Sequence, residues 1–118
     1  MARAGDVVLL PFPFTDLSAT KKRPVLLLSD EDGLGDFLAL AVTSKAGYQA
    51  SIAMTQGDLR VGTLPKPSWV RTDKLFTLNR QLVAAHFGTV TTDLLGRVRR
   101  SACKVLGCYS ELQEPMLP

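Results

Sequence analysis

Arg23, Thr43, Arg71 and Asp73 are the side chains whose types and spacing could do chemistry in this sequence, and the chemistry they suit is that of a phosphodiester. Arg23 ends the basic run Lys21-Lys22-Arg23 and precedes Pro24, which drives the residue before it into an extended conformation and suits the head of a strand. A guanidinium held at such a root, beside two lysines on a loop, makes a phosphate site. Thr43 and Ser44 follow the apolar run Phe37 to Val42 and lead into Lys45. Chain polarity in an antiparallel pair brings that end beside Arg23, so Arg23 and Thr43 are expected to be neighbours. Arg71 and Asp73 stand two apart in a strand-like stretch, and alternation sends both to one face. They read either as a candidate base, Asp73, beside a cation or as a same-face ion pair.

These residues fit a reaction that asks little of a protein. In RNA the nucleophile can be the substrate's own 2′-hydroxyl, so no water need be activated and the protein supplies alignment, proton transfer and charge stabilisation. Arginine gives up its proton only above a pKa of about 12. Arg23 therefore suits a clamp on developing phosphorane charge, and Asp73 suits the base if its surroundings favour the protonated form. Ser44 and Lys45 are supporting contacts, and Phe14 and Trp69 could stack on bases, although packing is the commoner fate of a single aromatic. His86, the single histidine, removes most histidine-dependent schemes and is expected to be a core residue of an apolar strand. Cys103 and Cys108 lack the paired spacing of a tetrahedral metal site and are expected to be buried or reduced thiols. No metal or other cofactor is expected.

The elements that must position these groups are short strands followed by one helix. A chain of 118 residues makes one domain, expected over 1–109, with 110–118 as a disordered tail. Strands are expected at Asp6 to Leu10, Val25 to Ser29, Asp36 to Val42, Ser51 to Met54 and Val83 to Val90. Trp69 to Leu78 reads as one strand or as two joined by a bend, and Leu59 to Ser68 as a loop. Pro11-Phe12-Pro13-Phe14 should end the first strand, and Thr15 to Lys22 is a candidate substrate flap. Thr91-Thr92-Asp93 caps a helix that Gly107 stops, with a stripe of Leu94, Leu95, Val98, Ala102, Val105 and Leu106. Three strands are apolar on both faces, a surplus that points to a covering helix or a second subunit. The expected architecture is a mainly β barrel with a C-terminal α-helix.

Formal charge is +3, and the tail carries Glu111 and Glu114 without a basic residue, so the rest of the chain stands at +5. That excess suits nucleic acid or an acidic protein partner. No run approaches bilayer length and no signal pattern opens the chain, which predicts a soluble, cytoplasmic protein with no membrane association.

Taken together, Gly5-Asp6-Val7, Pro11-Phe12-Pro13-Phe14, Lys22-Arg23-Pro24-Val25, Thr43-Ser44, Val70-Arg71-Thr72-Asp73 and a helix ending in Leu106-Gly107 resemble the MazF/PemK family of toxin endoribonucleases. The resemblance runs from Gly5 to about Gly107. It implies a small SH3-like barrel of the MazF/PemK/CcdB type, a homodimer, cleavage of single-stranded mRNA without metal, and control by a cognate antitoxin, with DNA bound only indirectly through the toxin-antitoxin complex. It further implies acid/base or phosphate work for Arg23, transition-state stabilisation for Thr43, and an acid and base pair in Arg71 and Asp73, while the residues themselves lead us to expect substrate contacts at Lys21, Lys22, Ser44, Lys45 and Phe14. Two alternatives stay open: a non-catalytic toxin on the same barrel that binds a protein such as DNA gyrase, as CcdB-type toxins do, and a degenerate relative that binds RNA without cutting it.

Overall fold

The computed structural model describes residues 1–11 and 21–108. Phe14, the flap apart from its end at Lys21 and Lys22, and the tail 110–118 lie outside the described residues.

Seven strands and one helix follow one another: β1 (Asp6–Pro11), β2 (Lys22–Leu27), β3 (Asp36–Thr43), β4 (Ser51–Met54), β5 (Leu59–Gly62), β6 (Ser68–Asn79), β7 (Ala85–Val90) and α1 (Thr92–Leu106). The strands form one antiparallel sheet in the order β4-β6-β3-β2-β1-β7-β5. Its two edges, β4 and β5, are consecutive in the chain and joined only by Thr55 and the 3-10 turn Gln56–Asp58. So short a connection forces the sheet to curl into a half-barrel, as the mainly β expectation required. Asp32 makes the turn between β2 and β3, its Oδ1 accepting from the N–H groups of Leu34 at 2.8 Å and Asp36 at 3.0 Å.

Alternation gives the sheet two buried faces. Val7, Leu26, Leu40, Val42 and Val70 face Leu94, Leu95, Val98 and Ala102 of α1. Val8, Leu10, Val25, Leu27, Phe37, Ala39 and Leu78 form a second cluster on the other face. Much of the apolar surplus assigned to a helix or a second subunit is thus taken up inside the chain, while Leu38 of β3 and Leu75 of β6 stay exposed. α1 is capped as expected, with Thr91 Oγ1 accepting from Leu94 N–H at 3.2 Å and Gly107 in the left-handed region at φ 86°.

Several expectations need correction. β2 starts at Lys22, not Val25, so Arg23 and Pro24 lie within it, opposite Leu10 and Leu9. β3 joins β2 only from Val25 onward, so the N–H that Pro24 lacks falls where there is no β3 ladder. Leu59–Gly62 is a strand where a loop was expected. Its backbone lies so close to β7 that a Cβ on Gly62 would sit 2.2 Å from the Phe87 carbonyl oxygen.

β6 is continuous but bowed. While β3 advances from Leu40 to Val42, its partner on β6 moves from Leu75 to Val70, so the stretch Arg71 to Lys74 bulges from the ladder. β7 also bulges, because Val7 pairs with Gly88 and Val8 with His86, leaving Phe87 extra. The bulge reverses the alternation, and His86 is half exposed instead of in the core, with Nε2 3.2 Å from Asp6 Oδ1.

The apolar stripe of α1 ends at Ala102, since Val105 and Leu106 are exposed. Cys103 and Cys108 are not free thiols: the left-handed turn at Gly107 brings their Cα atoms to 5.2 Å, and they form a disulfide. No helix among the described residues is long and apolar enough to cross a membrane.

Candidate functional site

The C-terminal end of β3 and the N-terminal end of β2 meet without pairing. There Arg23, Pro24, Val42 and Thr43 form a ridge between two clefts. This is the neighbourhood of Arg23 and Thr43 that chain polarity predicted.

The first cleft, of about 370 Å³, is lined by Lys21, Lys22 and Arg23 together with Ser44, Leu64, Pro65, Lys66, Ser68 and Phe87. Its far wall is held by Gln56, whose Nε2 donates to the Gly62 carbonyl at 3.1 Å and whose Oε1 accepts from Leu64 N–H at 2.8 Å. Ser68 is buried, and its Oγ donates to the Lys66 carbonyl at 3.0 Å.

The second cleft, of about 190 Å³, lies on the other side of the ridge, between Arg23, Thr43, Tyr48, Arg71, Lys74 and Phe76. Within the bow of β6 Arg71 and Lys74 both reach this cleft, while Thr72 between Arg71 and Asp73 is buried beneath α1. There Ser101 Oγ donates to Thr72 Oγ1 at 2.9 Å, and Thr72 N–H donates to the Ala50 carbonyl at 3.0 Å.

Asp73 shares the outer face with Arg71, and Arg71 Nη2 donates to Asp73 Oδ2 at 3.0 Å. The ion-pair reading is therefore realised in the geometry. Asp73 itself lines neither cleft. Thr43 Oγ1 accepts from Lys45 N–H at 3.1 Å, which fixes the hydroxyl oxygen and leaves its proton available to donate. The side chain of Lys45 lines neither cleft, whereas Ser44 lines the first. Phe14 lies outside the described residues.

Among the described residues, the charged groups lining the two clefts are all cationic: Lys21, Lys22, Arg23 and Lys66 in the first, and Arg23, Arg71 and Lys74 in the second. Such a pair of grooves suits the backbone of a single-stranded polyanion, with donors on the ridge for one phosphate. By contrast, the cleft that holds His86 also carries Asp6, Glu31 and Arg80, and its charge is mixed. Among the described residues, no group of three or more His, Cys, Asp or Glu side chains could hold a metal ion.

Tyr48, Lys66, Lys74, Phe76 and Phe87 line the clefts but were not singled out from the sequence. Lys66 left a trace there, since a lysine between Pro65 and Pro67 is held on a stiff backbone. Lys74 and Phe76 depend on the β6 bow, Phe87 on the β7 bulge and Tyr48 on the connection between β3 and β4, none of which a local pattern announces.

A family model describing PemK-like, MazF-like toxins of type II toxin-antitoxin systems matches residues 3–106. Among solved structures, an endoribonuclease in complex with its cognate antitoxin from a mycobacterial species superposes with a TM-score of 0.69 at 21% identity, covering 91% of this chain and 96% of that one. At that identity the likeness shows the fold alone. A MazE–MazF structure from Deinococcus radiodurans superposes with a TM-score of 0.69 at 25% identity, covering 89% of this chain and 94% of that one. MazF from the same organism does so with a TM-score of 0.68 at 28% identity, covering 89% and 96%. No curated protein matches the chain.

Proposed function

The chain belongs to the PemK-like, MazF-like toxin family of type II toxin-antitoxin systems, and from that premise we propose that it is an endoribonuclease that cuts single-stranded RNA sequence-selectively at the Arg23–Thr43 ridge. The observation that carries this reading is the pair of cation-lined clefts meeting at a guanidinium and a hydroxyl. One cleft takes the strand on the 5′ side of the scissile phosphate and the other takes it on the 3′ side.

In this scheme the 2′-oxygen attacks the adjacent phosphorus and the bond to the 5′-oxygen breaks, leaving a 2′,3′-cyclic phosphate and a 5′-hydroxyl. Arg23 stabilises charge on the phosphorane and Thr43 donates a hydrogen bond to it. Arg71 is a second cation from the neighbouring cleft. The 2′-hydroxyl proton passes to solvent at the open ridge, since Asp73 lines neither cleft and serves to anchor Arg71, and the departing 5′-oxygen takes a proton from solvent. The nucleophile belongs to the substrate, so the scheme runs without a metal-activated water.

The family and the antitoxin-bound relative motivate two partner assignments. An antitoxin with an acidic segment would cover the same cationic clefts, and a second copy of the chain would complete a homodimer.

The test is incubation of the purified protein with a long single-stranded RNA in EDTA, with end-group analysis of the fragments, beside Arg23→Ala. Discrete cuts with cyclic phosphate ends that disappear in the variant support the proposal. Intact RNA, or cutting unchanged in Arg23→Ala, rejects it in favour of a binding toxin.

A further inference from the structure

Tyr48 lies in the connection between β3 and β4 and presents its ring to Arg71, whose Cζ stands 3.8 Å from the ring centroid. Two residues, Gly47 and Ser51, fold it there. Gly47 takes φ 106°, a conformation that bends the chain back and that L side chains rarely adopt. Ser51 Oγ donates to the Tyr48 carbonyl at 2.7 Å, and Ser51 is also the β4 residue paired with Arg71. The loop is thus tied to the strand position opposite the arginine it covers.

The guanidinium is held from two directions, by the Tyr48 ring against its face and by Asp73 Oδ2 on Nη2 at 3.0 Å. Arg71 Nε is buried and has no hydrogen-bond partner among the described residues. An arginine side chain ordinarily loses considerable rotamer freedom when it binds a phosphate, and a planar fork already fixed on an aromatic face loses less. Both residues line the second cleft.

We propose that Tyr48 is a positioning residue: through its ring it sets the plane of the Arg71 guanidinium so that the fork meets RNA in the second cleft. The effect on cleavage rests on the endoribonuclease reading; the effect on Arg71 geometry does not. The phenol hydroxyl is not required. A competing possibility is that Tyr48 acts directly, by stacking on a base.

The experiment compares Tyr48→Leu and Tyr48→Phe, alone and in an Arg71→Ala background, by single-turnover cleavage of RNA and by NMR of the arginine side-chain Nε–Hε resonances. A misplaced fork should lower the cleavage rate about tenfold in Tyr48→Leu, with Tyr48→Phe restoring it to within about twofold. In the Arg71→Ala background Tyr48→Leu should then cost nothing further, because the group it positions is gone. The Arg71 Hε resonance should carry a ring-current shift in the wild type and Tyr48→Phe and lose it in Tyr48→Leu.

A full Tyr48→Leu loss persisting in the Arg71→Ala background would overturn the proposal and assign Tyr48 to base stacking. An Arg71 resonance that is the same in all three proteins would overturn it too. If the wild type leaves RNA intact, the endoribonuclease reading fails, and the NMR comparison decides the Tyr48–Arg71 relation by itself.

Discussion

Ser101 on α1 donates a hydrogen bond to Thr72 on β6 at 2.9 Å, and Thr72 is the buried residue between Arg71 and Asp73. The helix therefore grips the inner side of the bow whose outer side carries the ion pair. We predict that Ser101→Ala, which leaves the Thr72 hydroxyl buried without this partner, destabilises the fold by about 1–2 kcal/mol. Thr72→Val added to it should recover part of that loss, since two apolar groups need no hydrogen bond. Urea unfolding of Ser101→Ala, Thr72→Val and the double variant measures this, and additive losses would show that the bond does not couple the two elements.

Arg23 and Thr43 form the ridge shared by both clefts, and neither is buried. Arg23→Ala is predicted to lower the single-turnover cleavage rate about 10²–10³-fold, the range for removing one donor from a developing oxyanion. Thr43→Val should be as severe in kind, and Thr43→Ser, which keeps the hydroxyl, should be mild. Thermal stability should hardly change, because both side chains lie outside the core clusters. Equal activity in Thr43→Val and the wild type would remove the hydroxyl from the mechanism.

The Arg71–Asp73 pair is part-exposed, with 18% and 35% of the two side chains accessible. A double-mutant cycle on folding should return a coupling of no more than about 1 kcal/mol. The same cycle on cleavage should return a much larger one, because Asp73 anchors Arg71 and either substitution disables the same cation of the second cleft. A cleavage coupling as small as the folding one would leave the pair a structural feature of the strand.

Gly62 has φ 95°, and a Cβ there would come within 2.2 Å of the Phe87 carbonyl oxygen. Gly62→Ala is predicted to cost more than about 2 kcal/mol, through backbone strain and through separation of β5 from β7. Gly33→Ala is the control, since a Cβ there meets nothing within 4 Å. The far wall of the first cleft depends on the same contact through Thr63 N–H, which donates to the Phe87 carbonyl at 3.0 Å. RNA affinity should therefore fall with stability, a link that filter binding against a melting curve can check.

What the sequence determined by itself was local or followed from chain polarity. Apolar runs marked β1, β3 and β4; Thr91 and Gly107 marked the ends of α1; and the direction of β2 and β3 placed Arg23 beside Thr43. The motifs also pointed to the family whose model matches residues 3–106. Tertiary structure decided everything that depends on which strands pair and where they slip. The extra residue Phe87 in β7 turned His86 out of the core, and the bow of β6 brought Arg71 into the second cleft, beneath a tyrosine from another loop. A one-residue slip inverts the two faces of a strand, and its cause lies in partners distant along the chain. That is why the ridge was legible in the residues and the clefts on either side of it were not.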